Sequence, residues 1–99
     1  MVQVLVNYAC GSKENRDAFY KALKENDISA ISEAEEGCIS YQYYFPCEDD
    51  TRVFLLEQWR SIEDQQFHKT LPHFALIGQL KDKYQIESSF AFSQLSEME

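Results

Sequence analysis

Apolar residues recur at every second position from Val2. Val2, Val4, Val6 and Tyr8 share one side of an extended segment, with Gln3, Leu5 and Asn7 on the other. That period, in a run rich in β-branched residues, predicts a strand over Val2 to Ala9. Gly11 and Ser12 end it, and Ser12 is placed to cap the helix that follows. From Lys13 to about Glu35 the spacing becomes helical, with Phe19, Leu23, Ala30, Ile31 and Ala34 near one stripe. Asn26-Asp27 interrupts the good helix formers, so a bend or register shift is expected there. Gly37 reads as a left-handed helix terminator.

Alternation returns from Cys38 to Phe45, with Ile39, Tyr41, Tyr43 and Phe45 on one face and Ser40, Gln42 and Tyr44 on the other. An acidic turn, Pro46 to Thr51, leads into a strand from Val53 to Trp59. Ser61 and Asp64 resemble a capping box and open a short helix to about Thr70, whose core side is expected to include Ile62 and Phe67. Pro72 suits the first turn of the next helix, to about Tyr84. Ile86 to Leu95 is the last strand, and Ser96 to Glu99 should fray.

The order β-α-β-β-α-β predicts a ferredoxin-like, split βαβ α+β fold with a four-stranded antiparallel sheet, one domain over residues 1–99. Helices in this arrangement cover one sheet face. Here the first and third strands are apolar on both, Phe54 and Leu56 backing Val53 and Leu55. A homodimer through the free sheet face is the simplest cover.

Composition narrows the partners. The net charge of −8 and nine scattered Lys and Arg argue against nucleic acid and against an anionic membrane surface. No apolar run is long enough to span a bilayer, and the first residues lack the pattern of a signal peptide, so a cytoplasmic protein is expected. Cys10, Cys38 and Cys47 form no CxxC pair and fit reduced thiols. No ligand spacing suggests a metal. Aromatic residues make up 14% of the chain, so rings must fill the core or line a pocket or interface.

The candidate chemistry gathers between Arg52 and Phe74, a stretch that holds both histidines. His68 can abstract a phenolic or enolic proton, or can simply cap or pack a helix end. His73 can donate to a substrate oxygen, or satisfy a loop carbonyl. Glu57 shares strand parity with Val53, Leu55 and Trp59; a carboxylate near the core needs a partner, and a histidine is the obvious one. It would orient that imidazole or act as base itself, unless it is structural. Asn7 can bond a substrate carbonyl or oxyanion, or terminate its strand. Tyr41, Trp59 and Phe74 are candidate walls of a substrate pocket, though the tyrosines suit an interface and Trp59 the core.

Four blocks carry a resemblance: Glu36-Gly37-Cys38-Ile39-Ser40-Tyr41, then Glu48-Asp49, then Leu56-Glu57-Gln58-Trp59-Arg60-Ser61, then His68 to Pro72-His73-Phe74. Their order and spacing resemble the antibiotic biosynthesis monooxygenase family, in which Phe19 and Leu23 fit the first helix. The resemblance implies a dimeric α+β barrel. It also implies oxygenation of a small electron-rich aromatic or quinol by dioxygen, without metal, flavin or other cofactor. The base would be His68 or Glu57, the oxygen-binding donor Asn7 or His73, and His73, Trp59, Tyr41 and Phe74 would hold the substrate. Leu71 stands where the family commonly has Thr. Haem-degrading relatives share an Asn at Asn7, but their Trp falls at His68 and their haem-ligating His near Gly78, so haem is not expected. The family also implies two alternatives: isomerisation of a small phosphorylated sugar-like compound, and non-catalytic binding of a small molecule.

Overall fold

The structure, a computed structural model, describes residues 1–95; the expected fraying of Ser96 to Glu99 lies outside the described residues. The elements run β1 (Val2–Ala9), α1 (Lys13–Glu25), α2 (Ile28–Glu33), β2 (Cys38–Tyr44), β3 (Arg52–Trp59), α3 (Ile62–His68), α4 (Pro72–Tyr84) and β4 (Glu87–Gln94). The strands form one antiparallel sheet in the order β2-β3-β1-β4, the ferredoxin-like α+β arrangement that also forms each half of a dimeric α+β barrel.

Strand alternation fixes which side chains meet. Val2, Val4, Val6 and Tyr8 stand opposite Trp59, Glu57, Leu55 and Val53, and this is the face the helices cover. On it Val53 and Trp59 are completely buried and Leu55 nearly so. The other face presents Leu5, 42% exposed, and Tyr44, 48% exposed, beside half-buried Phe54 and Leu56.

Ser12 and Ser61 cap α1 and α3 as expected, their hydroxyls accepting from the backbone N–H groups of Asn15 (3.1 Å) and Asp64 (3.2 Å). The long helix expected from Lys13 to Glu35 is two helices. Asp27 takes left-handed backbone angles (φ 54°), which ends α1 and turns α2 onto a new stripe. Ile28 and Ser32 are therefore buried, whereas Ile31 is 45% exposed and Ala30 and Ala34 face solvent.

Three further expectations are corrected. Gly37 is not left-handed; among the glycines only Gly11 is (φ 83°). Gly37 is required by space instead, because a Cβ there would run into the Asp64 side chain. A bulge between Cys38 and Ser40 turns Ile39 out to 55% exposure, although Tyr41 remains buried. In α3, Ile62 and Phe67 are exposed (39% and 60%), and the residue that plugs into the core is His68, at 1%.

Candidate active site

Three chain segments converge on one carboxylate. Glu35 lies between α2 and β2, with its N–H donating to Ser32 O and its carbonyl accepting from the Cys38 N–H. His68 is the last residue of α3, and His73 stands in the first turn of α4. His68 Nδ1 lies 2.5 Å from Glu35 Oε2, and His73 Nε2 lies 2.7 Å from the same oxygen. A carboxylate oxygen offers only lone pairs, so each ring nitrogen donates and the His68 proton sits on Nδ1. Its Nε2 then keeps a free lone pair, and in the structure Nε2 is buried with no partner.

The His68 ring is held by aromatic neighbours: ring centres lie at 4.7 Å for Trp59, 5.4 Å for Phe74 and 5.8 Å for Tyr41. Burial lowers the His68 pKa, with the bond to Glu35 and its charge acting in opposition and His73 adding to the lowering. A neutral imidazole at working pH follows, with its tautomer fixed by Glu35.

Beside it lies a cavity of about 300 Å³ between the helix-facing side of the sheet and α4. Val6, Tyr41, Glu57, His68, Phe74 and Phe90 are among its walls. Glu57 is 7% exposed and accepts a hydrogen bond from Trp59 Nε1 at 2.9 Å. Burial pushes its pKa up to about 7; the indole bond works against this and the Glu35 charge with it. Near neutral pH the cavity thus holds a neutral base and a carboxyl group that is partly protonated, the pairing that acid–base chemistry needs. Burial pushes the Tyr8 and Tyr41 hydroxyls well up, so they remain protonated.

The structure brings some expected residues together and separates others. His68, Glu57, Tyr41 and Phe74 line the cavity. His73 does not line it; it backs Glu35, and its Nε2 is occupied there. Trp59 is fully buried behind the wall, holding Glu57 rather than facing a ligand. Asn7 is displaced from the expected site altogether: strand parity puts it with Leu5 on the outer sheet face, where its Oδ1 accepts from Arg52 Nη1 at 3.1 Å. The expected Glu57–histidine pair is replaced by Glu57–Trp59 and Glu35–His68–His73.

Glu35 is the residue that sequence reasoning missed. It sits in a connection, where no periodicity assigns a direction, at the expected end of the helical spacing. Two histidines needing an acceptor were the available signal. The spacing argument against a metal also needs correcting, because folding places ligand atoms of Glu35, His68 and His73 within 4.8 Å of one another. The two N–O contacts, at 2.5 and 2.7 Å, are nevertheless hydrogen-bond distances. Two ligands of one tetrahedral zinc would stand roughly 3.3 Å apart, from bonds of about 2.0–2.1 Å. The cluster fits a carboxylate shared by two N–H donors.

A ferredoxin-like sheet and a buried imidazole in the wall of a cavity make a candidate small-molecule site. The antibiotic biosynthesis monooxygenase model matches residues 1–77, and the chain belongs to that family. The match includes Glu35, Glu57, His68 and His73. Among solved structures, a candidate antibiotic biosynthesis monooxygenase from Deinococcus radiodurans superposes with a TM-score of 0.88 at 16% identity, covering 99% of this chain and 95% of that one. One from Nitrosomonas europaea gives 0.78 at 19% identity, covering 93% and 96%. A conserved Bacteroides thetaiotaomicron protein of unknown function, suggested to be an oxidoreductase, gives 0.78 at 23%, covering 95% and 96%. At these identities the likeness is one of fold. No curated protein matches the chain.

Proposed function

We propose that the protein is a monooxygenase that acts on a small hydroquinone-type aromatic with dioxygen and without a cofactor. The observation that carries this reading is a buried, unpartnered Nε2 on His68, a residue of the cavity wall whose Nδ1 is bound to Glu35. His68 Nε2 takes a phenolic proton, and the phenolate passes one electron to dioxygen. The aryloxyl radical and superoxide combine at a ring carbon to give a peroxide, which takes the proton back from His68. Loss of the proton on that carbon and cleavage of the O–O bond give a hydroxyquinone and water. The substrate supplies all four electrons, so no external reductant is needed. Glu57, in the same cavity wall, carries the carbon-bound proton away in this reading, and the apolar walls keep the phenolate and radical out of water.

The test is oxygen uptake with a panel of hydroquinones. Stoichiometric uptake with formation of hydroxyquinone supports the reading. Conversion of a phosphorylated sugar-like compound without oxygen, or binding without turnover, would replace it with an isomerase or a binding protein.

A homodimer through the outer sheet face belongs to the same proposal. Leu5, Phe54, Leu56 and Tyr44 form an apolar surface there that self-association would bury. No helix among the described residues is long and apolar enough to cross a membrane.

A further inference from the structure

The charge on the cavity wall has the opposite sign to that of the whole chain. The protein carries −8 overall, with seventeen Asp and Glu against nine Lys and Arg. Yet two lysines, Lys69 and Lys81, line the cavity, and among the described residues Glu57 is its only carboxylate. Lys69 follows His68 directly at the end of α3, and Lys81 lies one turn beyond Ile77 on the cavity side of α4. Elsewhere the cations are largely spoken for: Lys13, Arg16, Lys21, Arg52 and Arg60 all pair with acids. Among the described residues neither Lys69 nor Lys81 forms an ion pair. Gln65, also in the wall, adds an uncharged polar group.

We infer that the substrate is an anion: a hydroquinone bearing a carboxylate, which Lys69 and Lys81 hold while the ring enters the apolar part of the cavity and a hydroxyl meets His68 Nε2. The inference rests on the reading of this cavity as the substrate site. A cavity of about 300 Å³ is of the size that takes a compact ligand such as one substituted ring. In an acidic protein, two unpaired ammonium groups at one cavity favour an anionic ligand and disfavour a cationic one. They also divide the labour, with charge orienting the ring and the imidazole meeting the hydroxyl.

The test is anaerobic binding of a matched pair that differs in charge, 2,5-dihydroxybenzoate and 2,5-dihydroxybenzyl alcohol. Binding is read from the fluorescence of Trp59, the only tryptophan, whose ring centre lies 4.7 Å from that of His68. The carboxylate should bind roughly tenfold or more tighter than the alcohol, each of Lys69→Gln and Lys81→Gln should weaken it about threefold to tenfold, and salt should narrow the gap. Binding of the alcohol should weaken less than that of the carboxylate in both variants, so that the preference between the two narrows. Equal affinities for the two compounds, a preference that survives in the double variant, or no binding of either at millimolar concentration would overturn the inference. Because no oxygen is present, charge selection can hold where turnover fails. Conversely, oxygen uptake with neutral hydroquinones and no charge selection would leave the oxygenase standing and remove this inference.

Discussion

Replacing Glu57 with Gln tests whether the carboxyl group in the cavity is held partly protonated. The amide keeps an oxygen for Trp59 Nε1, which donates to Glu57 at 2.9 Å, and removes only the charge. In the folded protein the Glu57 pKa is raised from an ordinary 4.5 to about 7, chiefly by burial. Between those values the folded state binds a proton that the unfolded chain has lost, so this group's contribution to stability falls as pH rises through the window. At pH 5 most of the contribution remains and the variant should nearly match the wild type. At pH 8 the wild type buries a charge and the variant does not. The difference between the two pH values integrates to about 2–3 kcal/mol in favour of Glu57→Gln. With a urea m-value of about 1 kcal/mol per molar, the unfolding midpoints should separate by roughly 2 M at pH 8. Urea titrations at pH 5, 6, 7 and 8 followed by far-ultraviolet circular dichroism would measure this without relying on Trp59 emission, which the substitution itself can alter. His68 titrates in both proteins and largely cancels in the comparison. A difference that stays constant from pH 5 to pH 8 would refute the raised pKa, and with it the role of Glu57 as a proton carrier near neutrality.

His68→Asn keeps an amide N–H where Nδ1 donates to Glu35 but removes the base; turnover should fall roughly a hundredfold to ten-thousandfold while the fold survives, and wild-type turnover in the variant would end the assignment. His68→Ala should instead lose about 2–4 kcal/mol of stability as well, since the ring is 1% exposed and its loss leaves a void beside Glu35, and chemical denaturation would detect it. Activity should rise with pH as His68 becomes neutral; because Glu35 raises the His68 pKa, Glu35→Gln should shift that rise to lower pH and reduce the maximal rate, and an unmoved profile would contradict the pairing. Gly37→Ala should cost roughly 1–3 kcal/mol, because its new methyl group meets Asp64 in the α3 cap, and an unchanged melting temperature would contradict that crowding. Sedimentation should give a dimer at micromolar concentration that Leu56→Lys disrupts, and a wild-type monomer would remove the proposed sheet-face interface.

The fold was legible because its strands alternate cleanly and its caps and breakers sit where backbone chemistry needs them. Val2 to Tyr8 and Val53 to Trp59 each revealed a parity, and register then follows from which faces must be buried. Parity also carried part of the site, since it put Glu57 and Trp59 on one side, but parity within one strand does not say which face of the next it joins, and the register places Asn7 on the outer face. It failed where geometry departs from a simple period. One left-handed residue, Asp27, reset the helical stripe, and one bulge turned Ile39 outward. In α3 the apolar residues suggested a core side at Ile62 and Phe67, but the hydrogen bond to Glu35 draws the polar His68 inward instead. A buried polar contact across thirty-three positions leaves no local pattern in the chain.

That same contact has a consequence for the order of events during folding. One oxygen of Glu35 gathers donors that lie 33 and 38 positions further along the chain. Closing such loops is slow compared with forming a helix turn, because chain entropy must be lost before the bonds exist. Until α3 and α4 have docked on the α2–β2 connection, His68 remains an ordinary solvated histidine with neither fixed tautomer nor lowered pKa. If the proposed oxygenase reading holds, competence to activate a phenol waits for that docking, and a chain in which it has not occurred should generate no superoxide.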